Sequence, residues 1–129
     1  ISSIVSKNMI KKKVGKIINI SSIFGLVSKE KRSSYSSSKF GILGLTKSSA
    51  LDLASYNILV NSISPGFIDT KLTRKILKLS GMKKMSKVVP VKRLGKVKEI
   101  AYLSMFLASS YNTYITGQNI VIDGGFTSK

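Results

Sequence analysis

A chain of 129 residues is the size of one domain and is long enough to bury a core. Its hydrophobic content of 43% with only 2 Pro argues for a folded body, while the lack of Cys and His excludes a disulfide frame, a thiolate metal site and the commonest general base. The formal net charge of +17 would suit an anionic partner, but the basic residues are scattered without interleaved aromatics, which reads as a lysine-rich solvated surface ahead of a nucleic-acid site.

Acid/base chemistry therefore has to rest on Tyr, Lys or one of the 5 acidic residues. No apolar run approaches the roughly 20 residues of a membrane span and no signal peptide opens the sequence, so a cytoplasmic protein is expected. The first residue is Ile1, and the opening segment has neither a cap nor a preceding strand. A piece of something larger is expected.

Residues 1 to 13 carry Ile1, Ile4, Val5, Met9 and Ile10 between lysines, the pattern of a short amphipathic helix that Gly15 can end. Residues 16 to 22 form a compact β-branched run, as in a strand buried on both faces of a parallel sheet, with Ser22 at its carboxyl end. A loop follows to Arg32. Ser33 or Ser34 is the expected N-cap of a helix reaching about Ser55.

In that helix Ser37, Gly41, Gly44 and Ser48 make a stripe of small residues, and a sheet or a partner helix is expected against it. A second buried strand spans 58 to 64 and stops at Pro65-Gly66, where Pro ends the ladder and Gly permits close approach of a ligand. Residues 71 to 87 predict a lysine-rich helix with Leu72, Ile76 and Leu79 on one face, serving as a surface helix, a lid or a membrane-surface element. Residues 97 to 109 predict a further helix with Ile100, Leu103, Phe106 and Leu107 inward, and residues 119 to 122 a last strand closed by Asp123-Gly124-Gly125. Alternating helices and strands predict an α/β fold with parallel strands.

Tyr35 and Lys39 lie four residues apart on one helix, so the phenol and the ammonium project from the same face. A fixed cation within about 4–6 Å favours the ionised form of an acidic group, which suits a phenol that has to give and take a proton.

Ser22, then Tyr35 and Lys39, then Pro65-Gly66 occur in an order that chance explains poorly. The runs Ile18-Asn19-Ile20-Ser21-Ser22, Tyr35-Ser36-Ser37-Ser38-Lys39, Asn61-Ser62-Ile63-Ser64-Pro65-Gly66 and Val121-Ile122-Asp123-Gly124-Gly125 resemble the short-chain dehydrogenase/reductase family. Residues 90 to 95 and 114 to 117 resemble its bacterial branch, which includes 3-oxoacyl-[acyl-carrier-protein] reductases. The resemblance implies a Rossmann-like, doubly wound parallel sheet. It implies Tyr35 as catalytic acid/base, Lys39 as the residue that holds the nicotinamide ribose and favours the phenolate, and Ser22 as the group that orients the carbonyl. It further implies that Pro65, Gly66, Ile68 and Thr70 lie along the cofactor, with Thr70 offering its hydroxyl.

The departures matter as much. The family's opening strand, glycine-rich turn and helix are absent, and so are its Asn-Asn-Ala-Gly strand and its helix asparagine, since Asn8 lies too close to the Ser22 strand. The sheet is thus expected to be incomplete, with residues 1–129 the C-terminal part of a single NAD(P)-binding domain and the N-terminal βαβ units missing. Its unmet edge strand is expected to be prone to aggregation.

The residue that distinguishes NADP from NAD lies outside the chain, and NADP(H) is expected ahead of NAD(H). The expected substrate is a carbonyl compound, free or bound to acyl carrier protein, with a sugar or polyol of glycan synthesis as the alternative. A homodimer or homotetramer is expected. The reading of another class is a non-catalytic relic whose charge serves nucleic acid or an anionic surface.

Overall fold

The structure is a computed structural model that describes residues 2–128, with side chains described from Ser6 onward. Among these residues four helices alternate with five strands: α1 (Ser2–Lys12), β1 (Gly15–Ile20), α2 (Ser33–Ala54), β2 (Ile58–Pro65), β3 (Ile68–Asp69), α3 (Lys71–Val88), β4 (Gly95–Lys96), α4 (Val97–Ala108) and β5 (Asn119–Ile122). A 3-10 turn, Ile23–Gly25, follows β1. The main sheet has the order β1-β2-β5 and is parallel throughout, as the alternation of elements predicts.

The middle strand is buried at every position from Ile58 to Ser64. Ile58 and Val60 meet Ala50 of α2 in a core cluster joined by Met9, Ile10, Ile17 and Leu53, so α1 and α2 cover one face of the sheet. Helix α4 also packs against β1 and β2. Side chains tie α2 to β1 as well: Asn19 Nδ2 donates to Thr46 Oγ1 at 2.9 Å, and that hydroxyl donates to Ile42 O at 2.8 Å.

Several expectations are corrected. The N-cap of α2 is Arg32, which makes no side-chain cap bond, and Ser33 is already helical. Pro65 is the last residue of β2 and pairs with Ile122, and Gly66 N still donates to Ile122 O at 3.0 Å, so the proline does not break the register. The sheet does not lie against the small-residue stripe, because a Cβ built at Gly41 or Gly44 meets nothing within 4 Å.

Helix α3 is interrupted at Lys78 (φ 52°, ψ 179°), a break the single-helix expectation did not include, and Leu72, Ile76 and Leu79 stand exposed, in keeping with a surface helix. In α4, Leu107 is buried but Phe106 is exposed. Strands β3 and β4 pair Ile68 with Gly95 and Asp69 with Lys96, a two-residue ladder too short to read from periodicity. The expectations for Ile1, Ile4 and Val5 lie outside the described side chains.

Candidate active site

The carboxyl ends of β1 and β2 bring the expected residues to one edge of the sheet. Ser22 stands two residues beyond β1 and caps the 3-10 turn, its Oγ accepting from Phe24 N at 3.2 Å. That bond uses an acceptor lone pair and leaves the hydroxyl proton outside it.

Tyr35 lies in the first turn of α2 and is 42% exposed, so a substrate can reach its ring. Lys39 sits one turn on, with Nζ 5.7 Å from the centroid of the Tyr35 ring. The same ammonium donates to Ile20 O, the last carbonyl of β1, at 3.0 Å. A flexible side chain is thereby held at a fixed place beside the phenol.

The docking of α2 onto the turn after β1 is tight. Ser21 Oγ donates to Lys39 O at 2.9 Å, and a Cβ at Gly25 would come within 2.8 Å of both Lys39 O and Ser21 Oγ. Glycine is required at 25 because backbone approaches backbone there. Ser36, buried next to Tyr35, bonds Ser28 through their hydroxyls at 2.7 Å and so ties the loop after the 3-10 turn to the helix.

Pro65 and Gly66 enter at the end of β2. A Cβ at Gly66 would lie 2.7 Å from Asp123 Cα, which packs this turn directly on the residue after β5. Asp123 anchors the following turn, with Oδ1 accepting from Gly125 N at 2.9 Å and Oδ2 accepting from Thr127 N at 2.8 Å and Thr127 Oγ1 at 2.7 Å. Burial pushes this carboxyl up, but the hydrogen bonds from Thr127 and from the Gly125 and Phe126 amides outweigh it and hold the group below its ordinary value.

Ile68 and Thr70 are committed to local structure. Ile68 O accepts from Thr73 Oγ1 at 2.8 Å. Thr70 caps α3, its Oγ1 accepting from Thr73 N at 3.0 Å and lying 2.9 Å from Thr73 Oγ1. Because the Thr73 proton goes to Ile68 O, Thr70 is the donor between the two hydroxyls. To donate to a ligand the Thr70 hydroxyl has to leave that bond.

Sequence reasoning gave no site role to Ser21 and Asp123, which stand in its motif runs, nor to Phe24, Phe67 and Phe126. Rings of Phe24 and Tyr35 meet edge-on at 6.2 Å, those of Phe24 and Phe67 at 6.3 Å, and those of Phe67 and Phe126 at 5.0 Å. The three phenylalanines lie 43 and 59 residues apart in sequence, and no local pattern could have linked them.

A family model described as enoyl-(acyl carrier protein) reductase matches residues 2–127. The chain belongs to the short-chain dehydrogenase/reductase family. Among the relatives within that family, it is 41% identical over 125 residues to the 3-oxoacyl-[acyl-carrier-protein] reductase FabG of Thermotoga maritima, a match covering 97% of this chain and 50% of that protein. The solved structure of ElxO with NADP bound superposes with a TM-score of 0.90 at 36% identity, covering 95% of this chain and 50% of the other. A gluconate 5-dehydrogenase from Burkholderia cenocepacia, solved in complex with NADP and tartrate, gives a TM-score of 0.90 at 33% identity, covering 97% of this chain and 49% of the other. The chain spans about half the length of these short-chain dehydrogenase/reductase relatives.

Proposed function

We propose that this chain carries the proton-transfer side of an NAD(P)H-dependent reductase that converts a carbonyl to an alcohol, with a 3-oxoacyl group on acyl carrier protein as its substrate. The observation that carries this reading is the gathering of Ser22, Tyr35 and Lys39 at the carboxyl end of β1, with Lys39 held on Ile20 O beside the Tyr35 ring. Ligand sites of open parallel sheets lie at that edge. The resemblance to 3-oxoacyl-[acyl-carrier-protein] reductases supports the substrate class, and the NADP carried by the solved neighbours supports NADP(H) over NAD(H).

The donor set fits the nicotinamide end of such a cofactor. An ammonium, a phenol and a serine hydroxyl suit a ribose and a carbonyl oxygen, whereas no glycine-rich turn running into a helix is present among the described residues to hold a pyrophosphate. When bound, the nicotinamide supplies the hydride. Tyr35 gives its proton to the carbonyl oxygen as the carbon is reduced, Ser22 donates a hydrogen bond to the same oxygen, and the Lys39 charge favours the phenolate left behind. Lys39 would reach the ribose, and the Pro65–Thr70 stretch would lie along the cofactor. In this reading residues 1–129 are the C-terminal part of one NAD(P)-binding unit that works as a homodimer or homotetramer.

The second reading keeps the chemistry and changes the substrate to a sugar acid or polyol. It is favoured by the gluconate 5-dehydrogenase neighbour. Steady-state oxidation of NADPH by the full-length product of the gene that encodes these residues, given acetoacetyl thioester and then a panel of keto-sugars, separates the two. In either case Tyr35→Phe lowers turnover by at least about 100-fold, the lower range for a positioned general acid. Undiminished activity of that variant would refute the role of Tyr35.

A further inference from the structure

We infer that Phe24 is a positioning residue that sets Ser22 and Tyr35 relative to each other. The inference rests on the reductase reading above and adds a residue to it.

Phe24 is bound to both groups by different parts of itself. Its amide N donates to Ser22 Oγ at 3.2 Å, which fixes the rotamer of the hydroxyl. Its ring meets the ring of Tyr35 edge-on, with centroids 6.2 Å apart and an interplanar angle of 75°, within the range of favourable aromatic pairs. The Lys39 ammonium lies 5.7 Å from the centroid of the Tyr35 ring. Among the described residues the Tyr35 ring makes no further ring or ion contact, and the residue is 42% exposed. Phe24 therefore limits how far the phenol can swing on its χ1 and χ2 bonds.

Phe24 is itself buttressed from the other strand ends. Phe67, directly after Pro65-Gly66, meets it at 6.3 Å and 74°, and Phe126 meets Phe67 at 5.0 Å and 84°. Phe126 is carried by the turn that Asp123 clamps. The rings thus connect three chain segments, the ends of β1, β2 and β5, to the side chain whose hydroxyl has to give its proton to the carbonyl oxygen. The ring contacts join these segments in addition to the backbone hydrogen bonds that anchor each of them.

The test is made in the full-length product of the gene that encodes these residues and uses Phe24→Leu, which keeps the backbone donor and apolar bulk but removes the ring, and Phe24→Tyr, which restores the ring. Turnover and the NMR resonances of the Tyr35 ring, assigned by their loss in Tyr35→Phe, are read together, with circular dichroism to establish that each variant is folded. For Phe24→Leu, kcat falls about tenfold while KM changes by less than about threefold, as expected for misplacement of a reacting group. The Tyr35 resonances move with it, and Phe24→Tyr returns kcat to within about threefold of the parent, as a restored placement requires. Phe126→Leu gives a smaller loss of the same kind.

Unchanged kcat with unmoved Tyr35 resonances in Phe24→Leu overturns the proposal. So does a change confined to KM, or an equal loss of kcat in the Leu and Tyr variants. If the parent protein reduces no carbonyl, the reductase reading falls, and the resonances of Tyr35 still decide whether Phe24 holds that ring.

Discussion

Asn61 is wholly enclosed in the middle strand yet uses both ends of its amide. Nδ2 donates to Ile115 O at 2.7 Å and Oδ1 accepts from Gln118 N at 3.0 Å, so a side chain in β2 holds the segment that leads into β5. Ser62 and Ser64 on the same strand both donate to Asn119 Oδ1, at 2.9 and 2.7 Å. Asn112 does the same service in the preceding loop, its Oδ1 accepting from Ile115 N at 3.0 Å while its carbonyl accepts from Lys16 Nζ. A buried polar group that loses its partner costs roughly 1–3 kcal/mol, and Asn61→Ala strands Gln118 N, whereas Ile115 O keeps a bond from Asn112 Nδ2 at 3.3 Å. Urea unfolding of that variant is expected to show a loss of about 1 kcal/mol or more, and a loss of a few tenths would mean that water reaches the site. The sequence showed that Asn61, Ser62 and Ser64 lie in a buried run, but their partners are more than fifty residues away and periodicity does not reach that far.

At the scale of elements, the start of α4 depends on one carboxylate. Glu99 accepts from Lys96 N at 2.6 Å and receives a two-pronged pair from Arg93, at 2.6 and 2.9 Å. Hydrogen bonding from Arg93, then from the Lys96 amide, lowers its pKa from the usual 4.5 to about 2. A carboxylate whose folded value is depressed adds stability that is full above its unfolded pKa and is lost as pH falls through the folded one. Glu99→Gln is therefore expected to unfold more easily than the parent at neutral pH. The gap should close as pH drops from about 4.5 toward 2, the window set by those two pKa values. Thermal melts of both proteins across that range check it, and a gap that stays constant with pH would assign the effect to packing.

The elements themselves were largely legible. Hydrophobic runs and turn residues identified β1, β2, β5, α2 and α4 within a residue or two, because these are long enough for period and composition to speak. The 3-10 turn after β1 and the β3–β4 ladder were not, since two or three residues hold no period. The break in α3 also went unseen: Lys78 adopts a positive φ with no glycine or proline to announce it.

For the whole molecule, β1 pairs only with β2 among the described residues, although its Ile17-Ile18-Asn19-Ile20 run has the composition of a strand flanked on both sides. Val14 and Ile20 at its two ends are exposed, and so are Tyr102 and Met105 of α4. No described helix is long and apolar enough to cross a membrane, and no described group of acidic residues could hold a metal ion. The 129-residue chain holds Ser22, Tyr35 and Lys39 without a glycine-rich phosphate turn, so by itself it is expected to bind NADPH weakly and turn over little. Titration calorimetry of the purified chain with NADPH checks this, and micromolar affinity with steady ketone reduction would overturn it.

The sequence by itself determined the alternation of elements, the parallel sheet and the Tyr35-Lys39 pair, because each is written in residues close together along the chain: a period, a turn, a spacing of four. Only the tertiary structure decided that Lys39 rests on Ile20 O, that Thr70 spends its hydroxyl on α3, that Gly41 and Gly44 face open space, and that Phe24, Phe67 and Phe126 meet. Those facts depend on which strand ends lie side by side, and strand neighbours are fixed by long-range pairing, to which local propensity is blind.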